Sequence, residues 1–412
     1  MIFSLCQSTI AADMVVKKIV IDGLKRTEQE VVIRELPFSL NSIWQADFRK
    51  NSERRLRSTG IFSEVHVSAP DKQGQVTIYL KERWSLWLLP QASRKDNGAT
   101  SASAVLDEYN LWGLNHHIRL AYKQSTGKNF SSHSGYSYDG SYDWRRVADS
   151  KLSISIGGSH NALPYEAFSP GIQSSSYWKR SKSGSLIFSY GLGDVPSEGW
   201  TTIAGLTGSN TQYHLLSGTA QSDVIGSRIR TILLGISYSK INDHLTWLTG
   251  KAFNYTIALS NKHIGSTVNS YSHTASWHSH RELSGDNTLN LRLNGGFLIG
   301  DRQHAALFDI GNRDGIRGYY PGDLQASQYL YGTIEGRFPI QRGSNFQLVA
   351  FSDLGKISGT TGTPLAPGLA IGVGTGFRWT LRWLVNGTIR GDVAYGFAAK
   401  RWRFYIGSGQ TF

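Results

Sequence analysis

From Trp84 to the end of the chain, apolar and polar residues alternate with a period of two. Leu152-Ser153-Ile154-Ser155-Ile156 alternates strictly, and so does Leu289-Asn290-Leu291-Arg292-Leu293-Asn294. Such alternation gives each face of a strand its own class of side chain. Turn-prone clusters separate the segments, among them Ser125-Thr126-Gly127-Lys128-Asn129 and Ser284-Gly285-Asp286-Asn287. The pattern predicts roughly 16 strands, with Trp200 to Gly218 the most weakly patterned stretch, and about five of them after a glycine-rich loop near residue 317. No run of 18 or more apolar residues occurs, so the pattern offers no membrane-spanning helix. Short alternating segments rich in Gly, Ser, Tyr and Trp suit a mainly β fold, a 16-stranded antiparallel transmembrane β-barrel with one face to lipid and one to a polar interior. A large soluble sandwich or propeller is the alternative. In lipid the sheet has to close, because a free edge leaves backbone N–H and C=O groups unpaired.

Residues 17–83 are patterned differently. Lys18-Ile19-Val20-Ile21-Asp22-Gly23 reads as a strand ending in a turn. Thr27-Glu28-Gln29-Glu30 reads as a capping box that opens a short helix through Leu36. A second helix is expected from Trp44 to Ser58, stopping at Gly60, and two strands follow, Phe62 to Ser68 and Gln75 to Lys81. The order is β-α-α-β-β.

Composition sharpens this picture. The 412 residues include 45 glycines, with 12% aromatic and 18% charged positions. The net charge of +13 is scattered among alternating strands rather than gathered into a stripe. It therefore argues for interior charges and anionic head-group contacts, with no nucleic-acid partner. The single cysteine, Cys6, lies in an apolar stretch with small residues at Ala11 and Ala12, so residues 1–12 read as a signal peptide lacking its basic leader. No disulfide framework is expected.

The candidate chemistry centres on Gly315-Ile316-Arg317-Gly318-Tyr319-Tyr320-Pro321-Gly322-Asp323. Glycines on either side of Ile316-Arg317 let the backbone run close to a wall, and Pro321-Gly322 marks a turn. A guanidinium in a confined, partly dry place needs a carboxylate, and Glu335, Asp353 and Asp392 follow on the downstream strands. His278-Ser279-His280-Arg281-Glu282 places His, His and Glu on one strand face, a legitimate metal set, although a polar interior face explains it equally and no metal is assigned. Neither a Gly-x-Ser-x-Gly turn nor a phosphate-binding glycine loop is present, and no enzyme activity or cofactor is expected.

Taken together these stretches resemble the BamA/TamA-like superfamily of outer-membrane assembly proteins. Ile316-Arg317-Gly318-Tyr319 resembles its inward-folded loop motif, and Phe351-Ser352-Asp353-Leu354-Gly355 its Phe-x-Asp-x-Gly strand. Gly374-Thr375-Gly376-Phe377-Arg378 with Arg390-Gly391-Asp392 resembles the penultimate strands, and residues 13–83 resemble a POTRA module. The resemblance implies one periplasmic POTRA-like domain at 13–83 and a barrel at 84–412 with an inward loop at about 301–327. It implies that Arg317 meets Asp353 first, Glu335 second and Asp392 more weakly. Two departures stand out: Gln410 occupies the place of an aromatic two residues before Phe412, and there is room for one POTRA module only.

Function follows as an expectation. A small sheet with a free edge, here Phe62, Val65 and Val67, can take an extended client peptide as an extra strand. The barrel seam, between a first strand near Trp84 to Pro90 and a last near Arg403 to Phe412, can part and template a client strand. Gly407 and Gly409 weaken pairing there. The expected partners are unfolded or extended client polypeptides, outer-membrane lipid and lipopolysaccharide, and accessory periplasmic proteins. The alternative reading is a plugged or passive pore for anionic solutes. Trp84 with Trp87, and Trp379 with Trp383, are expected in interfacial aromatic belts.

Overall fold

The computed structural model describes residues 14–94, 100–126, 135–169, 172–193, 198–220, 224–301, 307–320, 322–359, 365 and 368–408. The expected signal segment with Cys6, and Pro321, Gly409, Gln410 and Phe412, lie outside the described residues.

The first unit is a three-stranded sheet with two helices. It comprises β1 (Lys18–Asp22), α1 (Gln29–Ile33), α2 (Phe48–Ser58), β2 (Phe62–Val67) and β3 (Gln75–Glu82). The strand order is β1-β3-β2, with β1 parallel and β2 antiparallel to β3. Val31, Leu56, Phe62, Val76 and Ile78 are fully buried between sheet and helices, a small core formed by alternating strand positions and one helix face. Two local expectations fail. Trp44 does not open α2: its ring packs on Phe38 and Phe48, with centroids 5.2 and 5.8 Å apart, so the helix begins at Phe48. Thr27 does not cap α1. Its hydroxyl accepts a hydrogen bond from Asn110 Nδ2 at 3.0 Å, and the N-cap Glu28 makes no side-chain cap.

The second unit is a 16-stranded antiparallel sheet. Its strands are β4 (Leu86–Arg94), β5 (Thr100–Leu111), β6 (His116–Thr126), β7 (Gly135–Trp144), β8 (Leu152–Ser169), β9 (Ile172–Gly191), β10 (Gly199–Gly218) and β11 (Ser227–Asp243), then β12 (Leu248–Ser260), β13 (Ser270–Glu282) and β14 (Thr288–Gly300). Two short loop strands, β15 (Phe308–Asp309) and β16 (Gln325–Ala326), pair with each other apart from this sheet. The sheet resumes with β17 (Gln328–Pro339), β18 (Phe346–Ser358), β19 (Leu369–Thr380), β20 (Thr388–Gly396) and β21 (Arg401–Ser408). Each strand pairs with its chain neighbours, and β14 pairs directly with β17.

Period-two alternation is visible in burial. Along β18 every second residue is buried: Val349, Phe351 and Asp353 face inward, while Leu348 and Leu354 are each 52% exposed on the outer face. Leucine outside and charge inside is the inversion expected of a wall with lipid around it. The two ends of the sheet, β4 and β21, are brought together at the lower rim, the rim that carries the first unit. There Trp84 N donates to Trp383 O at 2.7 Å and Val385 N to Trp84 O at 2.8 Å, so the β19–β20 turn clasps the strand entering the wall. Trp87 is 7% exposed and donates its indole N–H to Val385 O at 2.7 Å. It is a structural anchor rather than a belt residue, whereas Trp84, Trp379 and Trp383 are exposed.

Candidate functional site: a guanidinium lock and a seam

The segment between β14 and β17 turns into the barrel, and its tip lies against the inner faces of β17–β21. Close approach is made by backbone. Gly318 adopts φ +98°, and a Cβ on it would lie 2.4 Å from Gly396 N; a Cβ on Gly372 would lie 2.0 Å from Arg317 O. Only glycine fits at both surfaces. Tyr405 on β21 clamps the tip, accepting from Gly318 N and donating to Tyr319 O, each at 3.0 Å. Tyr319 donates its hydroxyl to Ile371 O at 3.0 Å and accepts from Ile371 N and Ala398 N. Ile316 and Tyr319 are fully buried among Tyr331, Ile357 and Ala370.

Arg317 is completely buried. Its Nε and Nη2 donate to the two oxygens of Asp353 at 2.8 and 3.0 Å, its Nη1 donates to Glu335 at 2.9 Å, and its backbone N–H adds a fourth bond, to Asp353 at 3.0 Å. Asp392 stands 4.0 Å from Nη1. The planar fork matches two carboxylates at once, which a single ammonium cannot do. The guanidinium also lies over the Phe351 ring at 3.3 Å.

The network extends further than the motif. Glu335 also accepts from Arg337 at 2.9 Å and Arg378 at 3.0 Å. Arg378 reaches Asp392 at 2.8 Å, and Arg390 bridges to Asp314 at 3.1 Å and Arg313 O at 2.8 Å. Arg292 donates to Gly315 O at 3.3 Å. Four buried arginines, Arg317, Arg337, Arg378 and Arg390, thus share three buried carboxylates, an arrangement that survives burial because the charges are paired and hydrogen-bonded. Arg337 and Arg378 were not anticipated as partners of Glu335. The available signal was spacing: Glu335 with Arg337, and Arg390 with Asp392, are two apart on one strand and share a face.

The other predicted positions resolve as follows. His278, His280 and Glu282 lie on β13, and His280 Nδ1 is 2.8 Å from Asn290 Oδ1. Among the described residues, no three His, Cys, Asp or Glu side chains gather as a metal set. Phe62, Val65 and Val67 point into the core of the first unit, and β2 is indeed an edge. Two of its outer backbone groups are taken, however: Val65 O accepts from Arg57 at 3.0 Å and Val67 N donates to Glu53 at 3.2 Å, both from α2. At these two positions α2 side chains occupy hydrogen bonds that an added strand would otherwise make. Gly407 serves to admit a side chain: a Cβ there would lie 1.8 Å from Arg313 Nη1.

The first unit is fastened beneath the barrel rim. Glu28 N donates to Gly113 O at 2.9 Å, and Arg26 pairs with Glu108 at 3.2 Å, Arg146 with Glu35 at 2.8 Å and Arg54 with Glu198 at 2.6 Å. Glu82, at the end of β3, accepts from the backbone N–H of Lys25, Arg26 and Thr27. Burial alone would push its carboxyl up, but these donors outweigh burial and hold it below the usual carboxylate range.

Between β4 and β21 lies an opening of about 750 Å³, lined by Leu86, Leu88, Pro90, Ile406, Gly407 and Arg313 among others. These two strands are the ends of the sheet order, and no β4–β21 pairing occurs among the described residues. Phe404 and Ile406 on the β21 edge are 78% and 83% exposed.

A 16-stranded antiparallel wall around an arginine-locked loop, with a small α+β unit at its lower rim, defines an outer-membrane-type β-barrel protein with one POTRA domain. Residues 110–412 match the Omp85 superfamily domain, and residues 14–83 match the POTRA model described as surface antigen variable number repeat. The chain belongs to the Omp85 superfamily.

Similar solved structures include CdiB from Escherichia coli, at 12% identity and TM-score 0.65, covering 96% of this chain and 74% of that one. CdiB from Acinetobacter baumannii is 16% identical with TM-score 0.62, covering 95% and 72%. BamA from Haemophilus ducreyi lacking POTRA domains 1-3 is 14% identical with TM-score 0.53, covering 96% and 83%. At these identities the likeness is one of fold. No curated protein sequence matches the chain. Omp85 barrels with a POTRA domain are outer-membrane proteins with that domain in the periplasm, and membership supports an outer-membrane location and a general role in protein insertion or secretion.

Proposed function

We propose that this protein inserts β-barrel proteins into the outer membrane, or passes polypeptides across it, by offering the seam between β4 and β21 as a template for an extended client strand. The observation that carries the reading is the seam itself. Two end strands face an opening of about 750 Å³ and, among the described residues, are fastened to each other through the β19–β20 turn at the periplasmic rim. An exposed strand edge is a template for backbone pairing. Arg313, reaching from the locked loop to Gly407, ties the state of the loop to that of the edge. The POTRA domain acts here as a docked guide beneath the barrel rather than as a second templating edge, a reading supported by the α2 side chains that already occupy Val65 O and Val67 N. No catalytic group, metal or cofactor enters this mechanism.

The test is a seam crosslink. Paired cysteines replacing Leu88 and Ile406, on a Cys6→Ser background, are joined by oxidation or a short bifunctional maleimide, and client assembly into proteoliposomes is measured before and after reduction. Loss of assembly on crosslinking and recovery on release is the expected result. Undiminished assembly by the crosslinked protein rejects seam templating. The other reading, a plugged pore for anionic solutes, predicts anion-selective conductance that grows when residues 307–320 are deleted, with client assembly absent throughout.

A further inference from the structure

The outer wall carries a feature that neither the loop nor the seam uses. Along β9 the outward-facing positions run upward from the periplasmic end as Tyr190, Phe188, Leu186, Gly184, Lys182 and Arg180. Along β11 they run as Tyr238, Ile236, Leu234, Ile232, Arg230 and Arg228. Each strand therefore presents an aromatic foot, an apolar middle and a basic head. Lys182 lies eight residues above Tyr190, and Arg230 eight above Tyr238. At about 3.3 Å per residue and a tilt of about 40°, eight residues rise about 20 Å, close to the ~25 Å apolar band of such barrels. The bases therefore sit at the outer boundary of the hydrocarbon.

Register gathers them. His160, Lys182, Asn210 and Arg228 are direct cross-strand partners in one row over β8–β11. The row just beneath is Gly158, Gly184, Gly208 and Arg230, where three glycines leave the wall bare. Arg230 lies along that bare strip, its Nη1 3.2 Å from where a Cβ of Gly208 would stand. Above it is a dent of about 300 Å³ lined by Tyr136, His160, Arg180, Lys182, Asn210 and Gln212. Among the described side chains, no outward position of β7–β11 is an Asp or Glu. Among the described side chains, four cations thus face the membrane boundary with no outward carboxylate beside them, over a shallow trough and above an apolar wall. That pattern fits a ligand with more than one phosphate, a sugar body and several acyl chains.

We propose that this face of β8–β11 binds the bis-phosphorylated headgroup of an outer-leaflet glycolipid, the lipid A part of lipopolysaccharide. Arg180, Lys182, Arg228 and Arg230 hold the phosphates, the glycine strip seats the sugar backbone, and the acyl chains lie along Ile156, Phe188 and Leu206. Phosphate recognition by guanidinium and ammonium at a membrane surface is charge-driven, so it needs no deep cavity.

The experiment uses the full-length protein, delipidated in non-ionic detergent, titrated with hexa-acylated bis-phosphoryl lipid A in mixed micelles. The quadruple variant Arg180→Gln/Lys182→Gln/Arg228→Gln/Arg230→Gln is compared with wild type and with Lys240→Gln/Lys251→Gln, an outward pair at the opposite end of the wall. Heat-modifiability verifies folding. The quadruple variant should bind more than about ten-fold more weakly, with the control pair unchanged. Dephosphorylated lipid A should bind wild type as poorly as the variant does, phosphatidylglycerol should bind wild type more weakly than lipid A, and millimolar inorganic phosphate should leave the complex intact. Equal binding by wild type and quadruple variant overturns the proposal, and so does equal binding of dephosphorylated lipid A. Equal binding of phosphatidylglycerol overturns the glycolipid assignment, and full displacement by inorganic phosphate reduces the face to a free-anion site. Should the quadruple variant fail to fold, Lys182→Gln/Arg228→Gln takes its place under the same criteria. The seam-crosslinked protein should bind lipid A normally, which separates this outcome from that of the proposed function.

Discussion

Arg317→Lys isolates the value of the guanidinium fork. The substitution keeps the charge and most of the side-chain length but offers one nitrogen in place of three that donate to Asp353 and Glu335. Asp353 depends on it more than Glu335 does, because Glu335 keeps Arg337 and Arg378. A lysine ammonium is therefore expected to settle on Asp353, giving up the Glu335 bond and one arm of the bidentate pair. Two charge-assisted hydrogen bonds at about 1.5–3 kcal/mol each amount to about 3–6 kcal/mol. The remaining arginines on Glu335 place the loss near the lower end, about 3 kcal/mol. Stacking on Phe351 is lost as well. The assay is the temperature at which the folded band on semi-native electrophoresis converts to the unfolded one, followed with limited proteolysis of the loop. A clear fall in that temperature and new cleavage between residues 307 and 320 are expected, and Asp353→Asn and Glu335→Gln should each lower it too, since each leaves a buried guanidinium without its carboxylate. A lysine variant with wild-type transition temperature and an intact loop would refute the argument that the fork holds the loop to the wall.

Other consequences follow. Gly372→Val places a side chain where Arg317 O now lies 2.0 Å from the Cβ position, so the loop tip has to lift; increased conductance in planar bilayers and faster proteolysis are the readouts, and unchanged values would show that the contact is not tight. Trp87→Phe removes the indole donor to Val385 O and should lower stability by about 1–2 kcal/mol, measured as a lower heat-modification midpoint. Glu82 has a folded-state pKa below its unfolded value, so its contribution to POTRA stability is present above the unfolded pKa and is lost as pH falls through the folded one. Protease protection of residues 14–83 should accordingly decline on acidification below about pH 4.5, and Glu82→Gln should flatten that dependence.

The resemblance supplied Asp353, Glu335 and Asp392 as the carboxylates for Arg317, and they stand 2.8, 2.9 and 4.0 Å from its guanidinium. The wider network was not read out, although Glu335 and Arg337 advertise a shared face. Spacing along one strand fixes which residues face inward; which strands present them at the same height depends on register and shear. Arg378 of β19 meets Glu335 of β17 across an intervening strand, and no local pattern encodes that meeting. The same holds for the β2 edge, where α2 side chains claim Val65 O and Val67 N.

What the amino-acid order determined by itself was local: two-residue alternation that makes strands with unlike faces, glycines where backbone meets backbone, and an arginine that could not stay unpaired. These follow from steric and solvation rules acting over a few neighbouring residues. Tertiary structure alone decided the rest: the clasp of the β19–β20 turn on Trp84 and the basic row on the outer wall. Each depends on the height at which distant strands come to lie beside one another, a quantity set by closing the whole sheet and by no segment within it.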